Sequence, residues 1–406
     1  MPLILRMAFR NILRQKRRSL LTALTMFGGF VLCSFSIAVS DGTYHHVIDM
    51  FTRNQMGHIQ IHSGDYLDRP SLYKTIDDCQ AVGRQIEITA GVTSWAPRVL
   101  SAGLVSVGDK SAGAMILGID PERENATTRF GRKIMSGTPL AADPAMQAVV
   151  GKGLARLLKA DVGDELVLLS QGADGSIAND VYQIVGLIVT DNQATDIGGL
   201  YLHISDAQQL LVLDDRVHEI AVLAEDLSEI NDVAAALRLN LDDKNLAIAT
   251  WKEFAASFYR AMLADQQGTW ISVFIIVIVV AVGVLNTVLM TVLERRREYG
   301  LLRAIGTGPG QVFGLVVTEV ISLAVLSLVI GAAIALAVNW YYSVDGMDFG
   351  LSITYGGVEF GNMYSEINAR SFWLPGLAVL TSAIVVSIMP AIRAGRTAPA
   401  QAMRIH

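Results

Sequence analysis

The sequence has few charged residues and almost no cysteine. Charged residues make up 17% of the 406 residues, whereas hydrophobic residues make up 52%. This balance excludes an ordinary soluble protein, in which about a quarter of the residues are charged. Cys33 lies in an apolar stretch and Cys79 in a polar one, so we expect no disulfide between them. The composition indicates a membrane protein, and the cysteine count leaves its redox compartment open.

The sequence also lacks the common motifs of nucleotide, metal and nucleophile chemistry. It has no Gly-x-x-x-x-Gly-Lys-Ser/Thr phosphate loop, and Gly151-Lys-Gly153 is too short to be one. No Cys-x-x-Cys, His-Glu-x-x-His or Gly-x-Ser-x-Gly pattern occurs. His58 and His62 would share one face of a strand, where packing or solvation explains them better than a metal. We therefore expect no catalytic, cofactor or metal site in this chain. A membrane-anchored enzyme is the alternative from another functional class.

Four apolar runs are long enough to cross a bilayer, which takes about 20 residues. We place transmembrane helices at residues 19–40, 265–293, 311–342 and 371–392. The four segments that flank or join them, apart from the large insertion described below, are residues 1–18, 294–310, 343–370 and 393–406. The alternative for the first run is a secretory signal, since Ala38-Val-Ser40 weakly matches a cleavage site. The length of the run and the long basic segment before it favour a membrane span.

The basic residues flank one side of these spans. Arg and Lys cluster in residues 1–18, in the loop after Glu294 and in the tail after Arg393, whereas residues 343–370 are mainly acidic. The positive-inside rule therefore predicts that both termini and the Glu294 loop are cytoplasmic. The arginines at positions 6, 10 and 14 share one helix face, which predicts an interfacial helix over residues 1–18 in contact with membrane lipid. A simple topogenic cluster explains the same charges. Because every basic cluster flanks an apolar run, we expect no nucleic-acid partner.

Residues 41–264 form a polar segment that is long enough to bury its own core. Its alternating and β-branched stretches predict strands, for example over 57–62, 95–107, 165–169 and 182–189. Residues 148–158 predict a strand that turns into a helix, and Ser205 and Ser228 are placed to begin two helices as N-caps. The mixture predicts an α+β domain of two lobes, inserted between the first and second transmembrane helices.

The segment Glu294–Gly306 carries more polar residues than a connection between two spans needs. Four arginines, two glutamates and two glycines lie between two apolar runs. Gly300 allows a close backbone approach, and Gly306-Thr-Gly-Pro-Gly310 ends the predicted helix sharply. A topogenic loop would account for the arginines but not for the Glu-Tyr-Gly and Ala-Ile-Gly framing. The pattern predicts a short helix that a partner in the aqueous phase contacts.

Three polar residues interrupt the apolar runs. Glu319 lies one to two turns into the third span, where it either pairs with an arginine of the loop or of a neighbouring helix, or reaches interfacial water. Asn286 in the second span and Asn339 in the third are expected to form hydrogen bonds between helices as part of packing.

Several of these segments resemble the FtsX/MacB-type (type VII) permease family of ABC transporters. Glu298-Tyr-Gly-Leu-Leu-Arg-Ala-Ile-Gly306 is similar to the coupling motif of the family, and Pro390–Arg404 is similar to its C-terminal tail. Ala8–Thr22 is similar to its N-terminal entry, and Leu117–Glu124 resembles the LolC/LolE-like branch that has no fused ATPase. The resemblance covers nearly the whole chain. It implies a multi-pass protein of the bacterial inner membrane with a periplasmic MacB-like core domain.

The resemblance also implies a division of labour between subunits. A separate cytoplasmic ABC ATPase dimer would bind ATP and Mg²⁺, and a second permease chain, identical or paralogous, would stand beside this one. The permease would transmit ATP-driven motion to its periplasmic domain, which acts on an envelope substrate, a lipoprotein in the first instance. The coupling residues implied in this sequence are Glu294, Arg297, Glu298, Gly300, Arg303, Ala304 and Gly306.

Two other functions are open within the same resemblance. A MacB-like permease would export its substrate through a periplasmic adaptor. An FtsX-like permease would transport nothing and would regulate a cell-wall hydrolase through its external domain. The external domains of such regulators are small, whereas residues 41–264 form a large one, which favours transport.

Overall fold

The computed structural model describes residue 10 and residues 16–190, 192–241, 243, 245–355 and 358–398. Most of the predicted interfacial helix 1–18 and the end of the tail 393–406 lie outside these residues. The chain divides into two compact units. The membrane unit comprises residues 1–45, 262–349 and 362–406, and the external unit comprises residues 46–261 and 350–361.

The elements follow one another along the chain as two interleaved series. The α-helices are α1 Lys16–Phe51, α2 Cys79–Glu87, α3 Pro121–Thr128, α4 Lys152–Leu158, α5 Gln193–Gly198, α6 Ile204–Leu211, α7 Ile230–Asn240, α8 Trp251–Phe254, α9 Ala256–Glu294, α10 Arg296–Ala304, α11 Pro309–Val344 and α12 Arg370–Gly395. The strands are β1 Ile59–Ser63, β2 Val92–Val107, β3 Lys110–Ile119, β4 Ile134–Gly137, β5 Gln147–Gly151, β6 Glu165–Gln171, β7 Ile177–Ile188, β8 Gly199–His203, β9 Glu219–Ala224, β10 Leu246–Thr250, β11 Met347–Tyr355 and β12 Val358–Met363. A π-helical turn, Thr52–Met56, and two 3₁₀ turns, Phe130–Lys133 and Leu227–Glu229, complete the set.

Four helices are long and apolar enough to cross a membrane: α1 with its π-helical turn, α9, α11 and α12. Small residues let them approach closely, as is common between membrane helices. A Cβ at Gly29 of α1 would collide with Val280 of α9, and a Cβ at Gly331 of α11 would lie 2.8 Å from Phe30. Each helix extends beyond the span expected within it, and the positions at which the chain enters and leaves the bilayer stay predictions.

Packing in the membrane unit depends on a continuous apolar core. Met26, Phe30, Val284, Val316 and Val379 are buried in one cluster to which all four spanning helices contribute. Pro375 and Pro390 lie inside α12, and both are buried. The membrane unit is therefore a helical bundle with a defined interior, and not four independent spans.

The external unit is built on one ten-stranded mixed sheet. The order of its strands is β10-β1-β9-β2-β3-β8-β5-β7-β4, and β6 pairs with both β2 and β7. Two pairs are parallel, β3 with β8 and β5 with β7, and the other pairs are antiparallel. Because β6 joins β2 to β7, the strands β2, β3, β8, β5, β7 and β6 close into a ring. The predicted fold class, four membrane helices and an α+β domain inserted between the first two, is confirmed.

Strand β2 belongs to two groups of strands. Its first half, Val92–Arg98, pairs with β9, and residues Leu104–Ser106 pair with β6. The group β10-β1-β9-β2 and the closed ring therefore share one long strand. One hydrogen-bonded sheet runs through both groups of strands, so the strand pairing does not separate two lobes. The expected division of this segment into two lobes stays a prediction.

Candidate functional site

The segment after the second membrane helix folds as a separate short helix. The backbone breaks at Arg295, which has φ −89° and ψ 12°, and α10 begins at Arg296. Glu298 lies in its first turn and Arg303 in its last turn, which matches the sign of the helix dipole at each end. The sequence motif thus corresponds to one helix of two and a half turns between two membrane helices.

A glycine-dependent cap ends α10. Gly306 has φ +99°, Thr307 donates its N–H to the Leu302 carbonyl at 3.0 Å, and Gly306 donates to Arg303 at 3.2 Å. These are the two hydrogen bonds of a Schellman cap, in which the left-handed residue is usually glycine. The Arg303 side chain also donates to the Thr307 carbonyl at 2.9 Å. Gly306 and Arg303 therefore hold the chain reversal that precedes α11.

One face of α10 is part of the membrane-unit core. Tyr299 is 1% exposed and belongs to the same buried cluster as Val292 and Val316, and Gly300 is also buried. Burial raises the pKa of the Tyr299 phenol to about 12, so the phenol is neutral at physiological pH. Because this face is packed, α10 belongs to the helical bundle.

A buried ion pair fixes the start of α10. Arg295 is 7% exposed and donates from Nη1 to Glu319 Oε2 at 3.0 Å. Its Nε donates to Glu298 Oε2 at 2.7 Å, and its guanidinium carbon lies 5.3 Å from the centre of the Tyr299 ring. Of the two alternatives for Glu319, the structure shows the pairing with an arginine of the loop. The guanidinium joins α11 to the first turn of α10.

The desolvation of such a pair costs free energy that its attraction does not reliably recover, so it contributes geometry more than stability. Replacement of Arg295 by a neutral residue would remove this cation from the buried Glu319, which is unfavourable, whereas Arg295 keeps Glu298 when Glu319 is replaced. A cavity of about 30 Å³, large enough for a water molecule, adjoins Glu319 and is lined in part by Arg18, Thr22, Thr291 and Tyr299. We interpret Arg295 and Glu319 as the pair that sets the orientation of α10.

The opposite face of α10 is open and carries apolar side chains. Leu301 is 59% exposed and Ile305 is 74% exposed, and Ala304 and Arg297 are exposed beside them. Positions 297, 301, 304 and 305 follow the i, i+4, i+7, i+8 spacing of one helix face. Exposed apolar groups framed by charge are typical of a protein-binding surface. We call Arg297, Glu298, Leu301, Ala304 and Ile305 the open face.

The predicted coupling residues occupy different places in this arrangement. Arg297, Glu298 and Ala304 belong to the open face, whereas Gly300 is buried and Arg303 and Gly306 form the cap. Glu294 is the last residue of α9 and pairs with Arg18 of α1. Sequence reasoning missed Arg295, Tyr299, Leu301 and Ile305. An apolar pair four residues apart within a charged segment is the signal that could have found Leu301 and Ile305.

The two asparagines differ in their surroundings. Asn339 is fully buried, donates to Ser34 Oγ of α1 at 3.4 Å and accepts from Ser365 at 3.3 Å. Its predicted hydrogen bond between helices is present. Asn286 is exposed on the surface of α9 and, within the part of the chain that the structure describes, has no such bond. The expectation for Asn286 stays a prediction, because its side chain is exposed on the bundle of this single chain.

The histidines of the external unit have packing roles. His58 is 3% exposed and accepts the Ala224 N–H at 3.1 Å, and His62 is 1% exposed and contacts the His218 carbonyl at 3.1 Å. Among the residues that the structure describes, no group of three or more His, Cys, Asp or Glu is arranged to hold a metal ion. Both side chains are buried, so of packing and solvation it is packing that describes this pair.

Comparison with known families matches both parts of the chain. The MacB-like periplasmic core domain matches residues 19–239, which is more than half of the chain, and the FtsX-like permease C-terminal domain matches residues 270–399. The chain belongs to the FtsX/MacB-type permease family. It is accordingly an ABC transporter permease of the inner membrane with a periplasmic domain, and membership implies an ATPase partner and a permease dimer.

Individual relatives come from two branches of this family. The chain is 22% identical to the lipoprotein-releasing system transmembrane protein LolC of Neisseria meningitidis over 81% of its length and 82% of LolC. It is 22% identical to LolE of Haemophilus influenzae, with 82% of each chain covered. The macrolide export ATP-binding/permease protein MacB of Campylobacter jejuni is 23% identical over 98% of this chain and 60% of MacB. The solved periplasmic region of MacB from Actinobacillus actinomycetemcomitans is 16% identical and covers 48% of this chain and 90% of that region, with a TM-score of 0.36.

Proposed function

We propose that this permease receives ATP-driven motion from a separate cytoplasmic ATPase through the open face of α10 and transmits it to the periplasmic domain, which extracts or exports an envelope substrate. The observation that carries the proposal is the two-faced character of α10. One face is packed into the membrane-unit core through Tyr299, and the other exposes Leu301 and Ile305 to solvent. A helix that is rigidly seated and apolar on its outer face suits the transfer of force from a docked partner.

The seat of α10 gives the proposed motion a route into the bundle. Arg295 pairs with Glu319 of α11, and Glu294 pairs with Arg18 of α1. A push on α10 would therefore act on two membrane helices as well as on α9, from which it continues. Because α1 and α9 are the helices that flank the external segment in the chain, displacement of either reaches the periplasmic domain through covalent continuity.

This proposal requires both termini and α10 to lie in the cytoplasm. The arginines at positions 295, 296, 297 and 303 support that orientation, as does the basic N-terminal segment. We assign ATP and Mg²⁺ to the partner ATPase and no cofactor to this chain. Its own contribution is mechanical.

We propose a lipoprotein as the first substrate class and place the second permease chain against α9. The LolC and LolE relatives, which match over four fifths of both chains, support the substrate class. Asn286 supports the position of the second chain, because a polar side chain within a membrane helix rarely faces lipid. A MacB-like exporter that works with a periplasmic adaptor is the second candidate, since the MacB match covers 98% of this chain.

Substitution of Ile305 tests the docking step. We expect Ile305→Asp to lower the amount of co-purifying ATPase about tenfold or more, since loss of a central apolar anchor of an interface typically costs about 2 kcal/mol or more. Ile88→Asp is the matched control, because Ile88 is 80% exposed and lies in the external unit. The measurement is quantitative co-purification of the full chain with its ATPase, with hydrogen exchange as the test of folding. Equal recovery of ATPase from both variants would rule out the open face as the docking site.

A further inference from the structure

The end of the first long helix is held by side chains of the external unit. After α1 the chain makes the π-helical turn Thr52–Met56, and Gly57, with φ +76°, turns it away. The last carbonyls of a helix have no partner within the helix. Three of them accept hydrogen bonds from side chains of three other elements: Asn54 from Lys133 Nζ, Gln55 from Arg98 Nη2 at 2.7 Å, and Met56 from Gln60 Nε2 at 3.1 Å.

Arg98 is the best-fixed member of this group. It is 5% exposed, and its Nε and Nη2 donate to the two oxygens of Glu124 at 3.0 and 2.7 Å. Its Nη1 donates to Glu219 at 2.7 Å, and Glu124 also accepts from Thr128 at 2.7 Å. Bidentate arginine–carboxylate pairs are strong and directional. The guanidinium therefore has one available position, and the Gln55 carbonyl is held against it.

Two of the donors lie on strands of one sheet, and the third lies on a turn. Gln60 lies on β1, Arg98 lies on β2, and Glu219, which pairs with Arg98 across the strands, lies on the intervening strand β9. Lys133 ends the 3₁₀ turn that follows α3. The side-chain donors thus attach the helix end to two strands, β1 and β2, and to one turn, and Glu219 of β9 holds Arg98 in place. Two of the three donors are cations, which the negative end of a helix dipole favours.

We propose that Gln60, Arg98 and Lys133 form a clamp through which displacement of α1 is transmitted to the sheet of the periplasmic domain. They are positioning residues for transport, and the inference rests on the proposed mechanical function. Backbone hydrogen bonds alone would let a helix end fray and slide. Three side-chain donors from separate elements make the helix end and the sheet move together.

The test uses variants that each remove one donor while leaving Arg98 between its two glutamates. These are Gln60→Leu and Lys133→Met, and Arg132→Met is the matched control because Arg132 is the exposed neighbour of Lys133. Hydrogen exchange is measured on the full chain with its co-purified ATPase, with and without a non-hydrolysable ATP analogue. Arg98→Lys provides a third clamp variant, which keeps the positive charge but loses the bidentate fork.

In the clamp variants we expect the nucleotide-dependent change in exchange to persist at residues 296–306 and to fall about tenfold in β1 and β9, the effect of losing one hydrogen bond. The control should behave as the wild type. If the nucleotide-dependent change in β1 and β9 is the same as in the wild type, the clamp is overturned. This holds even where a variant exchanges faster in the absence of nucleotide, because faster exchange alone shows only that the residue caps the helix. If the wild type shows no change at residues 296–306, the coupling function fails, and the clamp fails with it.

Discussion

Two buried arginines can be compared directly, because each lies between two glutamates and each fixes a helix terminus. Arg98 holds the end of the helix that enters the external unit, and Arg295 holds the start of α10. The side chains of Glu124 and Glu219 around Arg98 are 5% and 8% exposed. Around Arg295, Glu319 is 12% exposed but Glu298 is 44% exposed. The first cluster is closed to solvent, and the second is open on one side.

The difference separates a structural junction from a site that a partner can reach. In a closed cluster no carboxylate is accessible to a partner, so its interactions stabilise only the fold. An open cluster can exchange its exposed carboxylate between Arg295 and a cation of another protein without unpairing the buried Glu319. The proposed coupling through α10 requires this property, since docking should alter the contacts of Glu298 and leave the pair of Arg295 and Glu319 intact.

The largest effect is expected at Arg98. Arg98→Met leaves Glu124 and Glu219 buried without their cation, and loss of one partner of a buried ion pair costs about 3–5 kcal/mol. Hydrogen exchange of β2 and β9 in the full chain would measure the local free energy of unfolding. The matched control is Arg84→Met, because Arg84 is an exposed arginine of α2 in the same unit. A loss below about 1 kcal/mol, the range of surface ion pairs, would show that the cluster is not closed.

As the pH decreases, protonation of His58 should destabilise the external unit at a higher pH than protonation of the glutamates around Arg98 does. Burial lowers the pKa of His58 from 6.5 to about 4. Below pH 6.5 the unfolded chain binds a proton that the folded chain does not, so stability is full above pH 6.5 and falls as the pH decreases toward 4. The difference in pKa corresponds to a loss of about 3 kcal/mol by pH 4. Burial raises the pKa of Glu124, but Arg98 outweighs it and the pKa lies below 4.5, so Glu124 contributes only at lower pH.

His58→Asn is the variant that tests this order. Asparagine keeps an acceptor near the Ala224 N–H and cannot titrate, so the decrease between pH 6.5 and 4 should become smaller. The part that remains belongs to His218, because burial lowers its pKa as well. Exchange of β9 at several pH values gives the comparison. An unchanged decrease in His58→Asn would assign the acid sensitivity to another group, and the closed cluster would be the next to examine.

Sequence patterns gave the architecture of the membrane unit and several strands of the external unit, because hydropathy and alternation are local properties. Local reasoning was wrong about the two caps. Asp226, not Ser228, is the N-cap of its turn and accepts the Ser228 N–H at 2.7 Å, and His203 accepts the Ser205 N–H at 3.2 Å. In each case a side chain two residues before the serine accepts the hydrogen bond from the serine N–H. Residue propensities alone do not show which of the two residues is the N-cap.

The candidate site was predictable in position but not in its two faces. The motif located α10, yet nothing local distinguishes Arg295 from the two arginines that follow it. The backbone break at Arg295 turns only that side chain into the bundle, toward a glutamate 24 residues later. Which of Leu301 and Tyr299 is packed likewise depends on where α11 and α12 lie. Packing between residues that are distant in the chain decides which side chains of α10 are buried, and local sequence patterns do not reveal that packing.

A moderate effect is expected at Glu319. Glu319→Gln keeps the shape of the side chain but removes the charge that Arg295 faces, and a hydrogen bond to a charged group is worth about 2 kcal/mol. We expect the backbone amides of α10 to exchange hydrogen about thirtyfold faster, which corresponds to about 2 kcal/mol, while exchange in β2 and β9 is unaffected. Glu294→Gln is the control, since its pair with Arg18 is partly exposed and contributes little. If both variants have equal effects, Glu319 does not seat α10.

The smallest effect on stability, and the sharpest test of the contrast, is expected at Glu298. Glu298→Gln removes an exposed partner of Arg295, so the free energy of unfolding should change by less than about 1 kcal/mol. Arg295 keeps Glu319, and α10 keeps its seat. The stimulation of the co-purified ATPase should nevertheless decrease, because an open carboxylate acts mainly on the partner. Loss of coupling together with a large loss of stability would place Glu298 with the closed glutamates around Arg98. Loss of neither would mean that the open side of the Arg295 cluster has no role in docking, and that the apolar pair Leu301 and Ile305 carries the contact alone.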